Sequence, residues 1–425
     1  MTHIPMLDLK REYKYMKADI DAAIARCLDH QHWILGPEVQ EFEEKVASYL
    51  NVKHCIGTAS GTDALVLALR ALAIKTKGQE YFDRSDLIIT TPFTFTATGD
   101  AILRAGATPL FVDIDPTTFN LDPERIRECL ETSTLSLLPS ALSRPSRPSP
   151  RALSPSHVVG LLPVHLYGQP CQMDEIMSIA DEHGLFALED VAQAFGAIYD
   201  GKRVGSIGTC GSFSFFPSKN LGGFGDAGMV STNDDEIATL VRMLIKHGGK
   251  DKYNVDHIGY NARMDTLQAA ILLAKLKYLD EFNTRRRHIA QLYTEALKDL
   301  PGLVLPSAIS PSPTAGVAPP LALCPLPLAD TFHIFHQFTL RVFNGLRDTL
   351  QRHLHDLSIE SMVYYPVPLH RMRVFESRCA AYGELGEAER AAKEVLSLPI
   401  EPLMDDKAVT RVAAGMNTAP LAVCP

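Results

Sequence analysis

Lys219 is the residue whose setting could do chemistry. It closes an aromatic segment, Phe213, Phe215 and Phe216, that suits a buried strand end. Gly222, Gly223, Gly225 and Gly228 loosen the backbone after it. A lysine carried on an apolar element loses hydration, which drives its amine toward the neutral, nucleophilic form that condenses with carbonyls. Taken alone, a lysine in such a place is more often a solvated loop residue. What changes the balance lies upstream, where the apolar run Gly184 to Leu188 reads as a strand. Asp190 falls at its C-terminal end, where ligand-facing side chains cluster in an open α/β sheet.

A carboxylate there and a lysine at the end of a later strand are the two poles that pyridoxal 5'-phosphate requires. The lysine holds the aldehyde, and the acid keeps the pyridine nitrogen protonated so that the ring accepts electrons. Six motifs accompany the pair: Ser60–Leu65 (Ser-Gly-Thr-Asp-Ala-Leu), Thr91–Phe95, Pro163–Gly168 (Pro-Val-His-Leu-Tyr-Gly), Glu189–Ala194, Ser214–Lys219 and Gly259–Met264. In this combination and order the chain resembles the DegT/DnrJ/StrS family of sugar aminotransferases over most of its length. The resemblance implies a PLP-dependent transferase fold of type I, aspartate aminotransferase-like. Its large domain would hold a mostly parallel seven-stranded sheet, beside a smaller α+β C-terminal domain.

It also implies roles. Lys219 and Asp190 would be catalytic, Gln193 would meet the ring's hydroxyl side, and Phe95 would stack on the ring. Gly61, Thr62, Asp63 and Ser214 would form the phosphate site, completed by Asn261 across the interface of a homodimer. Lys246, His247, Tyr365 and His370 would face a nucleotide-linked keto sugar, with glutamate as amino donor; His165 would join them or face the cofactor, or else merely cap its strand. Arg242, Lys246, His247 and Arg263 are cations near the expected cleft that could meet a diphosphate or equally be solvated. The motifs look closest to members that aminate a UDP-linked 3-keto hexuronic acid or a related keto sugar. An amino-acid transaminase or a non-catalytic protein on the same fold are the alternatives. A dehydratase of this family would carry histidine in place of Lys219.

The elements that must position these residues follow from pattern. Residues 8–30 and 38–50 are amphipathic at helical spacing. Val52 to Gly57 reads as a strand and Ala64 to Leu72 as a helix. Between them Ser60 or Thr62 can cap a helix whose N-terminus attracts an anion. Strands are expected at Leu87–Thr91, from Pro109, at Val158–Val164 and at Met229–Thr232, alternating with helices as a largely parallel sheet requires. Gly223 to Gly228 spells Gly-x-Gly-x-x-Gly but runs into a strand, not a helix, so it is no dinucleotide fingerprint. A helix over 234–247, one long helix over 266–293 and a strand over 331–342 complete the reading. Trp33 stands in a connector that the resemblance would put near the substrate mouth, with a plain packing role as the alternative.

At 425 residues the chain has room for two domains, divided near 1–250 and 251–425. With 46% hydrophobic and 21% charged residues it has a globular balance. A net charge of −9 argues against a nucleic-acid partner. Eight scattered cysteines form no Cys-x-x-Cys pair, which fits reduced thiols, a cytoplasmic location and no metal. His333, His336, His353 and His355 likewise make no convincing ligand set and read as structural or solvated. Neither a signal-peptide core nor a membrane-length apolar run is evident. Residues 133–156 hold eight serines, five prolines and three arginines without an acid, a composition expected to be a disordered surface loop. Residues 306–330 form a second, Pro/Ala/Leu-rich insertion.

Overall fold

The computed structural model describes residues 3–132, 136–137, 157–251, 253–306 and 331–419. The chain opens with α1 (Leu9–His30) and α2 (Pro37–Leu50), then β1 (His54–Thr58), α3 (Gly61–Lys77), β2 (Leu87–Thr90), α4 (Thr96–Arg104) and β3 (Thr108–Phe111). Next come α5 (Pro123–Glu131), β4 (Ser136–Leu137), β5 (Val158–Leu162), α6 (Met173–His183) and β6 (Phe186–Asp190). A small ribbon, β7 (Ile198–Tyr199) and β8 (Lys202–Arg203), precedes β9 (Cys210–Ser214), β10 (Gly228–Thr232) and α7 (Asp235–Leu244). The remainder is α8 (Thr266–Leu276), α9 (Leu279–Leu297), β11 (Leu303–Val304), β12 (Phe338–Val342), α10 (Arg347–Asp356), β13 (Ala380–Ala381), α11 (Gly386–Glu394), β14 (Val395–Leu398) and α12 (Asp406–Asn417).

The main sheet runs β1-β10-β9-β6-β5-β2-β3-β13-β4. Its first seven strands are the expected sheet, and the two-residue β13 and β4 extend one edge. β9, β6, β5, β2 and β3 pair in parallel, whereas β10 runs against both its neighbours. Every residue of β2, β3, β6 and β10 is buried, as expected where helices cover both faces. Alternation divides them: Ile88, Leu188 and Val230 face the core shared with α3 and α7, while Leu87, Ile89 and Leu161 face α5 and α6. Phe42, Phe213 and Phe215 are fully buried in a third cluster, under α2 and α8. Burial of each such ring contributes about 1.5–3 kcal/mol.

A second sheet, β11-β12-β14, forms its own core with α9, α10 and α12. Packing does not change hands at residue 250, because α8 lies against α1 and α2 and β13 pairs with β3. The helix expected over 266–293 is two helices, broken at Lys277–Tyr278 without proline or glycine. Tertiary contacts fix the break: buried Lys275 pairs with Glu12, and Lys277 and Tyr278 both bind Asp19 of α1. The strand expected from 331 begins only at Phe338. Its preceding residues instead cross to the large sheet's loops, with Ile334 N–H donating to Gly168 O at 3.1 Å. Most of the 133–156 and 306–330 insertions lies outside the described residues, but Ser136–Leu137 pair antiparallel with Ala380–Ala381. No helix among the described residues is long and apolar enough to cross a membrane.

Candidate active site

The C-terminal ends of β6 and β9 and the N-terminus of α3 meet at one place. α3 begins there because Ser60 caps it, its hydroxyl oxygen accepting the Asp63 N–H at 3.1 Å. Gly61 is required by close approach, since a Cβ there would lie 2.5 Å from Ser214 Cβ. Gly228 lets β10 pass beneath the turn: a Cβ would stand 2.3 Å from the Ser60 carbonyl. Of the glycines in this run, Gly228 alone meets the α3 N-terminus, whereas Gly222 lies against the Pro217 carbonyl and Gly223 and Gly225 against the Gln268 side chain. Gly61, Thr62, Asp63 and Ser214 are thus brought together, around a helix end whose free N–H groups suit a phosphate.

Asp190 is buried at the end of β6. Its Oδ2 accepts from Thr98 Oγ1 at 2.9 Å and its Oδ1 from Ala192 N–H at 3.1 Å. Loss of hydration raises its pKa, opposed by these hydrogen bonds and by the charge of Lys219. Lys219 sits in the turn after β9, where its N–H donates to Phe216 O at 2.8 Å. Desolvation lowers its amine to about 8 against the pull of Asp190. Among the described residues its Nζ has no hydrogen-bond or ion-pair partner. A half-buried amine with nothing to bind and a carboxylate facing it fit an aldehyde-bearing, ring-nitrogen cofactor, and the glycine-lined helix end fits its phosphate.

Gln193 is locked on both sides. Its Oε1 accepts Tyr167 N–H at 2.7 Å, and its Nε2 donates to Tyr365 Oη at 2.9 Å. Phe95 stands at the head of α4, 56% exposed, with its ring centroid 6.1 Å from that of Tyr365. Phe95, Gln193 and Tyr365 thus form one wall. Thr98 was not legible as a site residue, because only the turn of α4 reveals that its hydroxyl meets Asp190.

Other expected residues are not free. His165 is fully buried: its Nδ1 accepts Cys171 N–H at 3.0 Å, so Nε2 carries the proton donated to Glu189 Oε2, also at 3.0 Å. It pins the β5 and β6 ends and cannot meet a substrate. Arg242 is bound to Glu43 at 2.9 Å and to Cys55 O at 3.2 Å, which removes it from the diphosphate cations. His370 is buried with Nε2 3.0 Å from Glu389 on α11. Lys246 and Asn261 face each other in an antiparallel bridge beside β1, and exposed His247 follows. Among the described residues these three make no hydrogen bond to Lys219, Asp190 or Gln193. Arg263 binds Asn261 Oδ1, and its buried Nε–H has no partner among the described residues.

One cluster elsewhere has metal-ligand types: Cys27, His30 and Glu38. Both ring nitrogens of His30 are already used, Nδ1 accepting His32 N–H and Nε2 donating to Glu38 Oε1, each at 3.0 Å. The cluster is thereby explained as a link between α1 and α2.

A type I fold with a lysine and an acid at adjacent strand ends defines the pyridoxal-phosphate-dependent transferases. Within them, the model of the DegT/DnrJ/EryC1/StrS aminotransferase family matches residues 14–417, and the chain belongs to that family. It is an aminotransferase that uses pyridoxal phosphate. It is 40% identical to the "Pleiotropic regulatory protein" of Geobacillus stearothermophilus, covering 95% of each chain. It is 36% identical to the UDP-2-acetamido-2-deoxy-3-oxo-D-glucuronate aminotransferase of Pseudomonas aeruginosa, over 97% of this chain and 99% of that one. Among solved structures, DesV of S. venezuelae is 37% identical with a TM-score of 0.82 over 98% of each chain.

Proposed function

We propose that this aminotransferase transfers an amino group from glutamate to a UDP-linked 3-keto sugar of the 2-acetamido-hexuronate class, in the making of surface-polysaccharide precursors. The observation that carries the substrate class is the near full-length similarity to the P. aeruginosa enzyme. Bound pyridoxal phosphate supplies an aldehyde for condensation and a ring that accepts electrons. Asp190, buried at its strand end, holds the ring nitrogen's proton. Lys219 Nζ carries a proton from the donor's Cα, a task matched by an amine lowered to about 8. Phe95 and Tyr365 would line the ring's site, and Gln193 would meet its hydroxyl side.

The working unit in this reading is a cytoplasmic homodimer. Trp33, Ile34, Leu35, Phe216, Phe224 and Ile258 are large apolar side chains left 39–62% exposed, which supports a self-complementary interface. Asn261 is exposed beside β1 with its Oδ1 held by Arg263, and its amide N–H groups would complete the partner's phosphate site. The test is a two-stage titration. Glutamate alone should discharge the yellow colour, and a UDP-linked 3-keto sugar should restore it. Restoration by a simple 2-oxo acid and by no keto-sugar nucleotide would overturn the sugar assignment.

A further inference from the structure

The small domain reaches the lysine through a chain of hydrogen-bonded amides. Asn220, next in sequence to Lys219, has its Oδ1 2.8 Å from His336 Nδ1. Its Nδ2 donates to Asn283 Oδ1 of α9 at 2.7 Å. Asn283 Nδ2 in turn donates to Phe195 O at 3.1 Å, on the loop that follows Asp190 and carries Gln193. His336 and Asn283 are 6% and 4% exposed. The segment bearing His336 is stitched to the β5 loop by Ile334 N–H on Gly168 O and Gln337 N–H on Tyr167 O.

Direction matters in this chain. An amide oxygen only accepts, so the bond to Asn220 requires the proton on His336 Nδ1. Burial, with the charge of Lys219 adding to it, holds that imidazole's pKa well below its ordinary value, so the ring stays neutral with one proton to place. Asn220 is thereby held in one orientation by two small-domain groups, and the backbone of Lys219 is covalently joined to it.

We propose that His336, acting through Asn220 together with Asn283, is the positioning group that aims the Lys219 amine at the site bounded by Asp190 and Gln193. It couples the placement of the small domain to the placement of the reactive amine. The inference rests on the reading of Lys219 as the cofactor lysine. His336 touches neither the amine nor substrate on this account, and its effect is geometric. A reacting group displaced by about 1 Å can lose on the order of a hundredfold in rate.

The experiment compares His336→Ala and His336→Gln holoenzymes with the wild type. Each is mixed with the amino donor that bleaches the wild-type enzyme, and the single-turnover rate at saturation is separated from the half-saturating concentration. His336→Ala should bleach roughly tenfold slower or worse at saturation, with half-saturation changed only a few fold. His336→Gln, whose amide can donate to Asn220, should recover most of the rate. Asn283→Ala should reproduce the slow phenotype, and it carries the test should His336→Ala fail to fold. An Ala variant as fast as wild type, or Ala and Gln variants equally slow, would overturn the proposal. Borohydride fixation and peptide mapping of the wild-type enzyme separate the premise from the inference. Cofactor fixed anywhere but Lys219 removes the premise, and the proposal with it.

Discussion

At the scale of single residues, the site is two groups pushed toward their less charged forms by burial. Lys219→Ala should abolish turnover with the fold intact, since the lysine supplies both attachment and proton transfer; borohydride should then fix no cofactor. The lowered amine makes a pH prediction. Above about 8 the free amine is neutral in the folded enzyme, whereas an exposed lysine would still be charged. Cofactor attachment to the apoenzyme should therefore rise with pH and level off near that value; a rise continuing past pH 10 would show an ordinary lysine. Thr98→Val removes one donor from a buried carboxylate, a loss of about 1–3 kcal/mol. A several-fold fall in turnover, with cofactor still bound, is the expected outcome, and unchanged kinetics would take Thr98 out of the site. Asp190→Asn should bind cofactor yet lose most of the rate, because a neutral amide stabilises a pyridinium poorly.

Elements meet where glycine permits it. β10 crosses under the α3 turn with no room for a methyl group at residue 228. Gly228→Ala should push the strand and the phosphate turn apart, at a cost of about 1–3 kcal/mol typical of overpacking. Thermal unfolding would report the loss of stability, and equilibrium dialysis a weaker hold on pyridoxal phosphate. If stability fell while cofactor affinity stayed, the crossing would be structural alone. The same crowding accounts for the last glycine of the run that imitates a dinucleotide motif: Gly228 opens β10 against the α3 N-terminus, while Gly223 and Gly225 lie against Gln268.

Across the whole molecule, the large sheet carries several packed clusters and the β11-β12-β14 sheet has its own core. A dimer at assay concentration in sedimentation is expected from the exposed apolar side chains around Trp33 and Phe216; a fully active monomer would refute it. The long insertion should tolerate replacement of residues 138–156 by a short Gly-Ser link, with activity kept within a few fold. Ser136 and Leu137 are better retained, because they add a strand beside β13. A collapse of folding in that variant would make the rest of the segment part of the structure.

Local chemistry was readable from the chain itself. Lys219 after an aromatic strand, Asp190 at a strand end and Ser60 before an amphipathic helix are each determined by neighbours in sequence, because capping, strand burial and glycine turns act over a few residues. The parallel sheet followed from the alternation of elements for the same reason. What sequence could not settle depended on partners distant along the chain. His165 stands in a site motif yet is spent on Glu189 and Cys171, and Arg242 looks like a free cation until Glu43 arrives from α2. The break between α8 and α9 has no local breaker, only contacts to α1. Asn220, Asn283 and His336 carry no motif that links them, and only the docking of the small domain sets their donors against their acceptors. Spacing determines which groups a turn can present; burial, which depends on everything packed above them, decides which of those groups remain free to react.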